Sequence, residues 1–163
     1  MPTPSTIGPS IVAGDATPSS VQRTFQRKAF FTLGRHWVFY ANDAGVLVYD
    51  SSVGSSEAWL GPEILGGMVP DGGEFTVWLQ EISPTEAYVH LVWADSNGNS
   101  PIIYVRGTLA SDGTIVWDLP DEAAPFDLGW EYLNPGICMD FQGRIYVVYN
   151  KVRTIDPTNC TIY

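Results

Sequence analysis

A run of oxygen-bearing side chains at positions 95–100, DSNGNS, has the spacing of a calcium-binding loop. Ca²⁺ prefers carboxylate and amide oxygens, which such loops place on alternate residues. The candidate ligands are Asp95, Asn97 and Asn99. However, glycine stands at position 4 of the run instead of 6, and Arg106 occupies position 12, where a Ca²⁺ loop carries glutamate. Because Asn-Gly is also a strong hairpin signal, we favour a plain turn, with Ca²⁺ binding as the alternative and no other cofactor.

Aromatic side chains offer a second kind of chemistry, because the apolar faces of their rings stack on sugars. Trp78 lies in the strand-like run EFTVWLQ at 74–80. Trp130 and Tyr132 lie in the stretch 119–134, which we interpret as a link outside the strands and therefore as an exposed contact. These three residues are the candidate glycan-binding residues, although such rings more often fill a core.

Residue combinations that support catalysis are not recognisable in the sequence. His36 and His90, the two histidines, lie beside aromatic residues without the spacing of a Ser-His-Asp triad or a metal site. The acidic pair Asp121–Glu122 is interpreted as solvated surface, and a glycosidase pair of carboxylates cannot be identified from spacing alone. We therefore assign no catalytic residue. Asn159 begins a weak acceptor pattern for N-glycosylation, Asn-Cys-Thr.

The charge distribution excludes some partners and favours others. The chain has eight basic and 18 acidic side chains, a net charge of −10, which argues against nucleic-acid binding. Residues 1–42 carry four basic groups and one acidic group, and the remainder carries four basic and 17 acidic groups. This asymmetry favours head-to-tail contacts between copies. No apolar run is long enough to span a membrane as a helix.

The composition is typical of a β-protein outside the cell. The sequence has two lysines, 16 glycines and 12 prolines, and the glycines and prolines leave no room for long helices. We expect a location outside the cell or on a cell or virion surface. The N-terminus lacks the basic and apolar regions of a secretory signal.

The predicted strands that carry the candidate residues begin after an N-terminal segment, which we call the strap. Residues 1–22 are rich in proline, serine and threonine, which predicts an extended or disordered segment. Within it, Ile11, Val12 and Ala13 have strand character, and we expect Thr6–Ala13 to pair with a sheet edge in the same or a neighbouring copy. Residues 23–163 form one folded unit.

An internal repeat organises this folded unit. GRHWVFYAND at 34–43 resembles GRIYVVYNK at 143–151, and AYVHLVWAD at 87–95 lies between them. Strand-like runs precede and follow each copy, and Trp59 and Trp117 close a further segment in the first two units. Four short antiparallel strands per unit predict an all-β, propeller-like chain of about two and three-quarter blades, at about 27–60, 73–119 and 134–163. A sandwich or jelly roll is the alternative.

This strand order places the two cysteines on different strands. Cys138 falls on the first strand of the third unit and Cys160 on its third strand. Strands two apart lie about 9.6 Å from each other, beyond the reach of a disulfide. We therefore predict that the two cysteines are not bonded to each other.

The repeat resembles the BNR or Asp-box repeats of sialidase-like β-propellers. In SDGTIVW, Asp112 and Trp117 keep the Asp-to-Trp spacing of the box, whereas SSEAW at 55–59 keeps only the tryptophan and an acid. Sialidase catalysis requires an arginine triad, a Tyr/Glu pair and an acidic acid/base, and no residue here matches that set. Arg35 and Arg144 occupy equivalent repeat positions, which indicates a structural role such as pairing with a nearby acid.

Two functions of different class follow from this resemblance. The first is a non-catalytic, extracellular or virion-surface protein that binds glycans, assembles with copies of itself into a larger structure such as a filament, or does both. The alternative is a glycoside hydrolase fragment whose catalytic residues lie elsewhere or are unrecognised. The expected partners are other copies or the rest of a longer chain, together with glycans.

Overall fold

The computed structural model describes residues 26–53, 58–65, 74–94, 101–125, 127–153 and 156–162. Strands account for about 70% of these residues, and none of them is helical. The strands form three antiparallel sheets, which follow one another in chain order. The predicted all-β class is therefore confirmed. In the described part of the chain, no helix of the length and apolarity needed to cross a membrane occurs.

Sheet 1 contains four strands in the order β1-β2-β3-β4. They span Ala29–Thr32, Arg35–Ala41, Leu47–Val53 and Glu63–Ile64. Leu33 and Gly34 connect β1 to β2 with φ angles of 53° and 73°, as a two-residue hairpin turn requires. Trp59, expected to close the fourth segment, forms an isolated bridge with Ser52, and the fourth strand forms further along the chain.

Sheet 2 contains five strands, β5 to β9. They span Glu74–Ser83, Glu86–Ala94, Ile102–Leu109, Ile115–Trp117 and Asp121–Ala124. β8 pairs with the end of β7 and β9 pairs with its beginning, so the two short strands share one edge of the sheet. The segment 119–134 was predicted to be a link outside the strands. That prediction is wrong, since it contains β9 and the start of the next sheet.

Sheet 3 contains β10, β11 and β12, in that order. These strands span Trp130–Met139, Ile145–Arg153 and Asp156–Ile162. Cys138 is opposite Tyr146 and carries a free, exposed thiol, whereas Cys160 is opposite Val152 on the other side of β11. The strand order on which the prediction of unbonded cysteines rested is therefore confirmed.

The second strands of the repeat are where the sequence predicted them. The expected spans near 35–41, 88–94 and 144–150 correspond to β2, β6 and β11. Alternating aromatic and β-branched residues identify such strands because successive side chains point to opposite faces.

Sheet 2 lies between the other two sheets and packs against both. One apolar cluster joins its odd-numbered side chains, such as Leu91 and Val105, to Trp37 and Phe39 of sheet 1. A second cluster joins its even-numbered side chains, such as Val92, to Ile137 and other residues of sheet 3. Because each face of sheet 2 is apolar, neither outer sheet can be removed without exposing core residues to water.

Candidate functional site

A cleft of about 360 Å³ opens between sheet 2 and sheet 3. Residues of β7 and β9 form one wall, and two side chains of β11 form the other. The lining residues are Tyr104, Asp121, Glu122, Ala123, Ile145 and Val147. Asp121 pairs with Tyr104 and Glu122 with Ile103, so the two acidic side chains point to opposite faces of sheet 2. The cleft therefore combines the carboxylate of Asp121 and a phenol with an apolar surface.

The pairing of β9 with β7 brings the polar groups together. Asp121 is opposite Tyr104 in the register, although the two residues are far apart in the sequence. The side chain of Asp121 accepts a 2.8 Å hydrogen bond from the backbone N–H of Glu122, which orients its carboxylate. Both acidic side chains are exposed to solvent.

A buried histidine fixes the direction of the hydrogen bonds behind the cleft. Nδ1 of His90 lies 2.8 Å from the hydroxyl of Tyr104, and Nε2 lies 2.9 Å from Oε1 of Gln80. Burial, with a smaller contribution from the charge of Arg106, lowers the pKa of His90 to about 4. The imidazole is therefore neutral near neutral pH, with one N–H donor and one acceptor nitrogen.

The tautomer follows from the partners of the ring. Oε1 of Gln80 accepts, so Nε2 of His90 donates to it, and Nδ1 accepts the proton of Tyr104. Burial also raises the pKa of Tyr104, which keeps its phenol protonated. With its proton committed to His90, the oxygen of Tyr104 offers only lone pairs to the cleft. The polar side chains of the cleft are thus hydrogen-bond acceptors.

Positive charge near the cleft is already compensated. Arg106 donates from Nε to Oδ2 of Asp118 at 2.7 Å. Its guanidinium also lies 5.0 Å from the ring centroid of Tyr88. The neighbouring arginine is therefore engaged on the surface of sheet 2, which leaves the carboxylate of Asp121 to set the electrostatic character of the cleft.

The structure places the three predicted glycan contacts in different surroundings. Trp78 is half-buried beside the second apolar cluster, together with Tyr104 and the two apolar residues of the cleft. Tyr132 is 4% exposed, and its hydroxyl donates to the carbonyl of Pro125 at 2.9 Å. Trp130 is half-buried, with the ammonium of Lys151 4.9 Å from its ring centroid. Trp130 and Tyr132 belong to β10 instead of a surface link.

The other predicted sites lie largely outside the described residues. The Ca²⁺ candidates Asp95, Asn97 and Asn99 lie there, as do Ile11, Val12 and Ala13 of the predicted assembly strand. Asn159 lies within the backbone of β12. Among the residues that the structure describes, no group of three or more His, Cys, Asp or Glu side chains is placed to hold a metal ion.

The hairpin that contains Asp112 connects sheet 2 to sheet 1. Asp112 accepts hydrogen bonds from the backbone N–H and the hydroxyl of Thr114, at 3.0 and 2.7 Å. Arg35 reaches this hairpin from sheet 1 and donates to the carbonyl of Ser111 at 2.6 Å. The equivalent Arg144 forms an ion pair with Asp140 at 2.7 Å. These contacts agree with a structural role for both arginines.

Sequence reasoning missed the residues that line the cleft. Asp121 and Glu122 were interpreted as solvated surface, and Tyr104 was not among the candidate residues. Exposed acidic residues give β9 no alternation of apolar and polar side chains, so no local signal identifies it as a strand. The juxtaposition with Tyr104 depends on the long-range register between β7 and β9.

Comparisons with known proteins leave the cleft as the main guide to function. No protein-family model matches the chain, and no curated protein matches it significantly.

Proposed function

We propose that this chain is a non-catalytic, glycan-binding segment of a sialidase-like, Asp-box β-propeller that acts outside the cell or on a virion surface. Three antiparallel sheets that stack in chain order support the propeller interpretation. The hairpin of Asp112 supports the resemblance to Asp-box repeats, since its Asx-type turn leads into the strand that ends at Trp117.

The cleft between sheets 2 and 3 is the observation that carries the binding function. Sugar hydroxyls are donors, and the carboxylate of Asp121 accepts them with charge-assisted hydrogen bonds. The phenol oxygen of Tyr104 adds a second acceptor of fixed direction. Ile145 and Val147 offer an apolar surface for the C–H face of a sugar ring.

The charge of the cleft selects among glycans. The carboxylate of Asp121 repels the carboxylate of a sialic acid and attracts the ammonium of an amino sugar. We therefore expect neutral and amino sugars to bind, and acidic sugars to be excluded. This specificity is opposite to that of a sialidase, whose arginines bind a carboxylate.

The arrangement of the carboxylates favours binding over hydrolysis. Glycosidases place their two carboxylates on opposite sides of the scissile bond. Here Asp121 and Glu122 are consecutive residues of β9 whose side chains point to opposite faces of sheet 2, and the opposite wall of the cleft carries the apolar residues Ile145 and Val147. In the described part of the chain, the residues lining this cleft include no arginine.

The test is saturation-transfer NMR of the intact chain with neutral oligosaccharides, glucosamine and sialyllactose. We expect transfer to the neutral and amino sugars, lost in the double variant Asp121→Asn, Glu122→Gln. The matched control, Asp43→Asn with Glu63→Gln, neutralises two exposed acids of sheet 1 and should bind normally. Equal transfer in both variants, or hydrolysis of fluorogenic glycosides by the wild type, would overturn the proposal.

A further inference from the structure

The second strands of the three sheets use equivalent positions for equivalent contacts. The repeat aligns Tyr40, Trp93 and Tyr149. On this alignment, Phe39 and Val92 occupy one position, and each packs towards the following sheet. Each sheet therefore has a forward face, which the next sheet in the chain covers.

The opposite faces obey the same rule. Leu91 of β6 and Val147 of β11 are equivalent in the repeat, and each packs towards the preceding sheet. This backward face receives the forward face of the sheet before it. The two interfaces between sheets within the chain therefore follow one pattern, in which the forward face of one sheet packs on the backward face of the next sheet.

The forward face of sheet 3 is apolar and exposed. Tyr146 and Val148 occupy the positions of Trp37 and Phe39 in sheet 1, yet they are 45% and 48% exposed. Exposed Cys138 is opposite Tyr146 and extends the same face. In sheet 1 the equivalent positions are 0% and 1% exposed, because sheet 2 covers them.

The backward face of sheet 1, at the other end of the stack, is exposed along β1 and the adjoining part of β2. Phe31 is 54% exposed and pairs across the strands with His36, whose ring centroid lies 4.9 Å away. His36 is exposed and Val38 is half-buried, and both lie at backward positions of β2. On β3 the same face is buried, since Val48 and Ser52 are each 1% exposed. The described chain therefore presents a forward face at one end and the β1–β2 part of a backward face at the other.

We propose that the forward face of sheet 3 packs on the backward face of sheet 1 in a second copy of this chain. The second copy is the fitting occupant because the molecule carries the forward half of an interface that it forms twice internally, together with the exposed β1–β2 part of the backward half. Such an interface is heterologous, so its repetition produces a ring or an open filament. This proposal is independent of the cleft, which lies between sheets 2 and 3.

The polar groups at the edge of this face are compatible with burial. The hydroxyl of Tyr146 donates to Oδ2 of Asp140 at 3.2 Å, and Nε of Arg144 donates to the same oxygen at 2.7 Å. The charge of Asp140 is therefore already paired next to the apolar side chains. An approaching sheet would not leave this carboxylate without a partner.

Two variants block one face each. Val148→Glu places a charge on the forward face, and Phe31→Glu places one on the backward face. Sedimentation velocity over a wide concentration range should show association of the wild type and a monomer for each variant. Mixing the two variants should give a 1:1 dimer, because one unblocked face of each kind remains. Leu119→Glu, at a site that is 93% exposed and lies between β8 and β9, is the control and should associate like the wild type.

Several results would overturn the proposal. A wild type that stays monomeric at the highest concentration would do so. Association of Phe31→Glu alone would indicate symmetric pairing of two third sheets, and a mixture that remains monomeric would exclude the head-to-tail contact. If either variant loses its β-sheet circular dichroism, a second way to block the forward face takes the place of that variant. Cys138 is then alkylated with a bulky reagent in a Cys160→Ser chain, in which it is the one remaining cysteine. The alkylated chain should be monomeric, and unchanged association would count against the interface.

Discussion

The backbone N–H of Ile115 donates a 3.1 Å hydrogen bond to the phenol oxygen of Tyr49. Ile115 begins β8 of sheet 2, and Tyr49 belongs to β3 of sheet 1, so this bond joins two sheets at a buried position. Burial also raises the pKa of Tyr49, which keeps the phenol neutral. A second bond joins the two sheets at the hairpin between β7 and β8, where the hydroxyl of Ser51 donates to the carbonyl of Gly113 at 3.1 Å.

Removal of the Tyr49 hydroxyl should therefore weaken the contact between sheets 1 and 2. In Tyr49→Phe the N–H of Ile115 loses its acceptor while the ring remains. We expect the free energy of unfolding to fall by about 1–2 kcal/mol, measured by urea unfolding. Tyr88→Phe is the matched control, because its hydroxyl binds Glu86 at the surface, and it should leave the urea midpoint unchanged. Equal midpoints for Tyr49→Phe and the wild type would contradict the prediction.

His90 should make the stability of the fold depend on pH. Its pKa is about 4 in the folded chain, below the ordinary histidine value of 6.5, because the ring is buried. The unfolded chain therefore binds more protons between these two values, and the free energy of unfolding must fall as the pH is lowered through this range.

The variant His90→Gln isolates this contribution. Glutamine does not titrate, so the decrease in stability between pH 6.5 and about 4 should be shallower than in the wild type. The groups facing His90, which are Tyr104, Gln80 and Arg106, remain in place. Urea unfolding at several pH values measures both slopes. His36→Gln, at an exposed site, is the control and should have the slope of the wild type.

Gly107 lies where no side chain can be accommodated. A Cβ atom at this position would lie 2.4 Å from Cγ2 of Ile115 and 2.8 Å from Cε3 of Trp117. We expect Gly107→Ala to reduce the free energy of unfolding by about 1–3 kcal/mol, because β8 would have to move away from β7. Thr108→Ala, at the exposed neighbouring position, should have a much smaller effect. A thermal unfolding midpoint for Gly107→Ala equal to that of Thr108→Ala would contradict this.

The strands that the sequence predicts are marked by a local pattern of side chains, whereas the strands that it misses depend on pairing with a distant strand. β2, β6 and β11 are recognisable because their apolar residues alternate, and this pattern is local. β9 has three exposed residues followed by buried Ala124, so only its pairing with β7 makes it a strand. The first residues of β10, Trp130 and Glu131, are held in the strand by pairing with Arg153 and Val152 of β11, a long-range contact that the local sequence does not report.

The candidate cleft could not be predicted for the same reason. Its acceptor character depends on Tyr104, which donates to His90 across adjacent strands. It depends equally on Asp121, which reaches Tyr104 through the β7–β9 register. A sequence pattern indicates which residues are neighbours along one strand, whereas both of these contacts are between residues of different strands. The residues are visible in the sequence, but their proximity is a property of the assembled sheets.

The turn between β10 and β11 should depend on an oxygen acceptor at position 140. The Asp140 carboxylate accepts from the backbone N–H groups of Gln142 and Arg144, at 2.9 and 3.0 Å. These bonds, chiefly that from Arg144, hold the pKa of Asp140 below its usual value. Asn42 orients the β2–β3 turn in the same way, with an amide oxygen 3.1 and 2.9 Å from the N–H groups of Ala44 and Val46.

Asp140→Asn should consequently preserve the turn better than Asp140→Ala. The amide oxygen keeps both backbone acceptor contacts, whereas alanine removes them and leaves two N–H groups to solvent. Urea midpoints should rank the wild type first, then Asp140→Asn, then Asp140→Ala. The advantage of the wild type over Asp140→Asn should disappear as the pH falls through the pKa of Asp140, because a depressed carboxyl pKa stabilises the folded chain only while the group is ionised. An alanine variant as stable as the asparagine variant would contradict the assigned role.

Two tryptophans should respond differently to replacement by phenylalanine. Nε1 of Trp37 donates to the carbonyl of Thr32 at 3.3 Å, whereas Nε1 of Trp78 is buried without a hydrogen-bond partner among the described residues. Trp37→Phe removes a hydrogen bond as well as packing. Trp78→Phe removes an N–H donor that lost its bonds to water on folding and gained no protein acceptor in return. We expect Trp37→Phe to reduce the free energy of unfolding by at least about 1 kcal/mol more than Trp78→Phe, as measured by urea unfolding. Equal losses would mean that Nε1 of Trp78 has a partner in solution, such as a bound water.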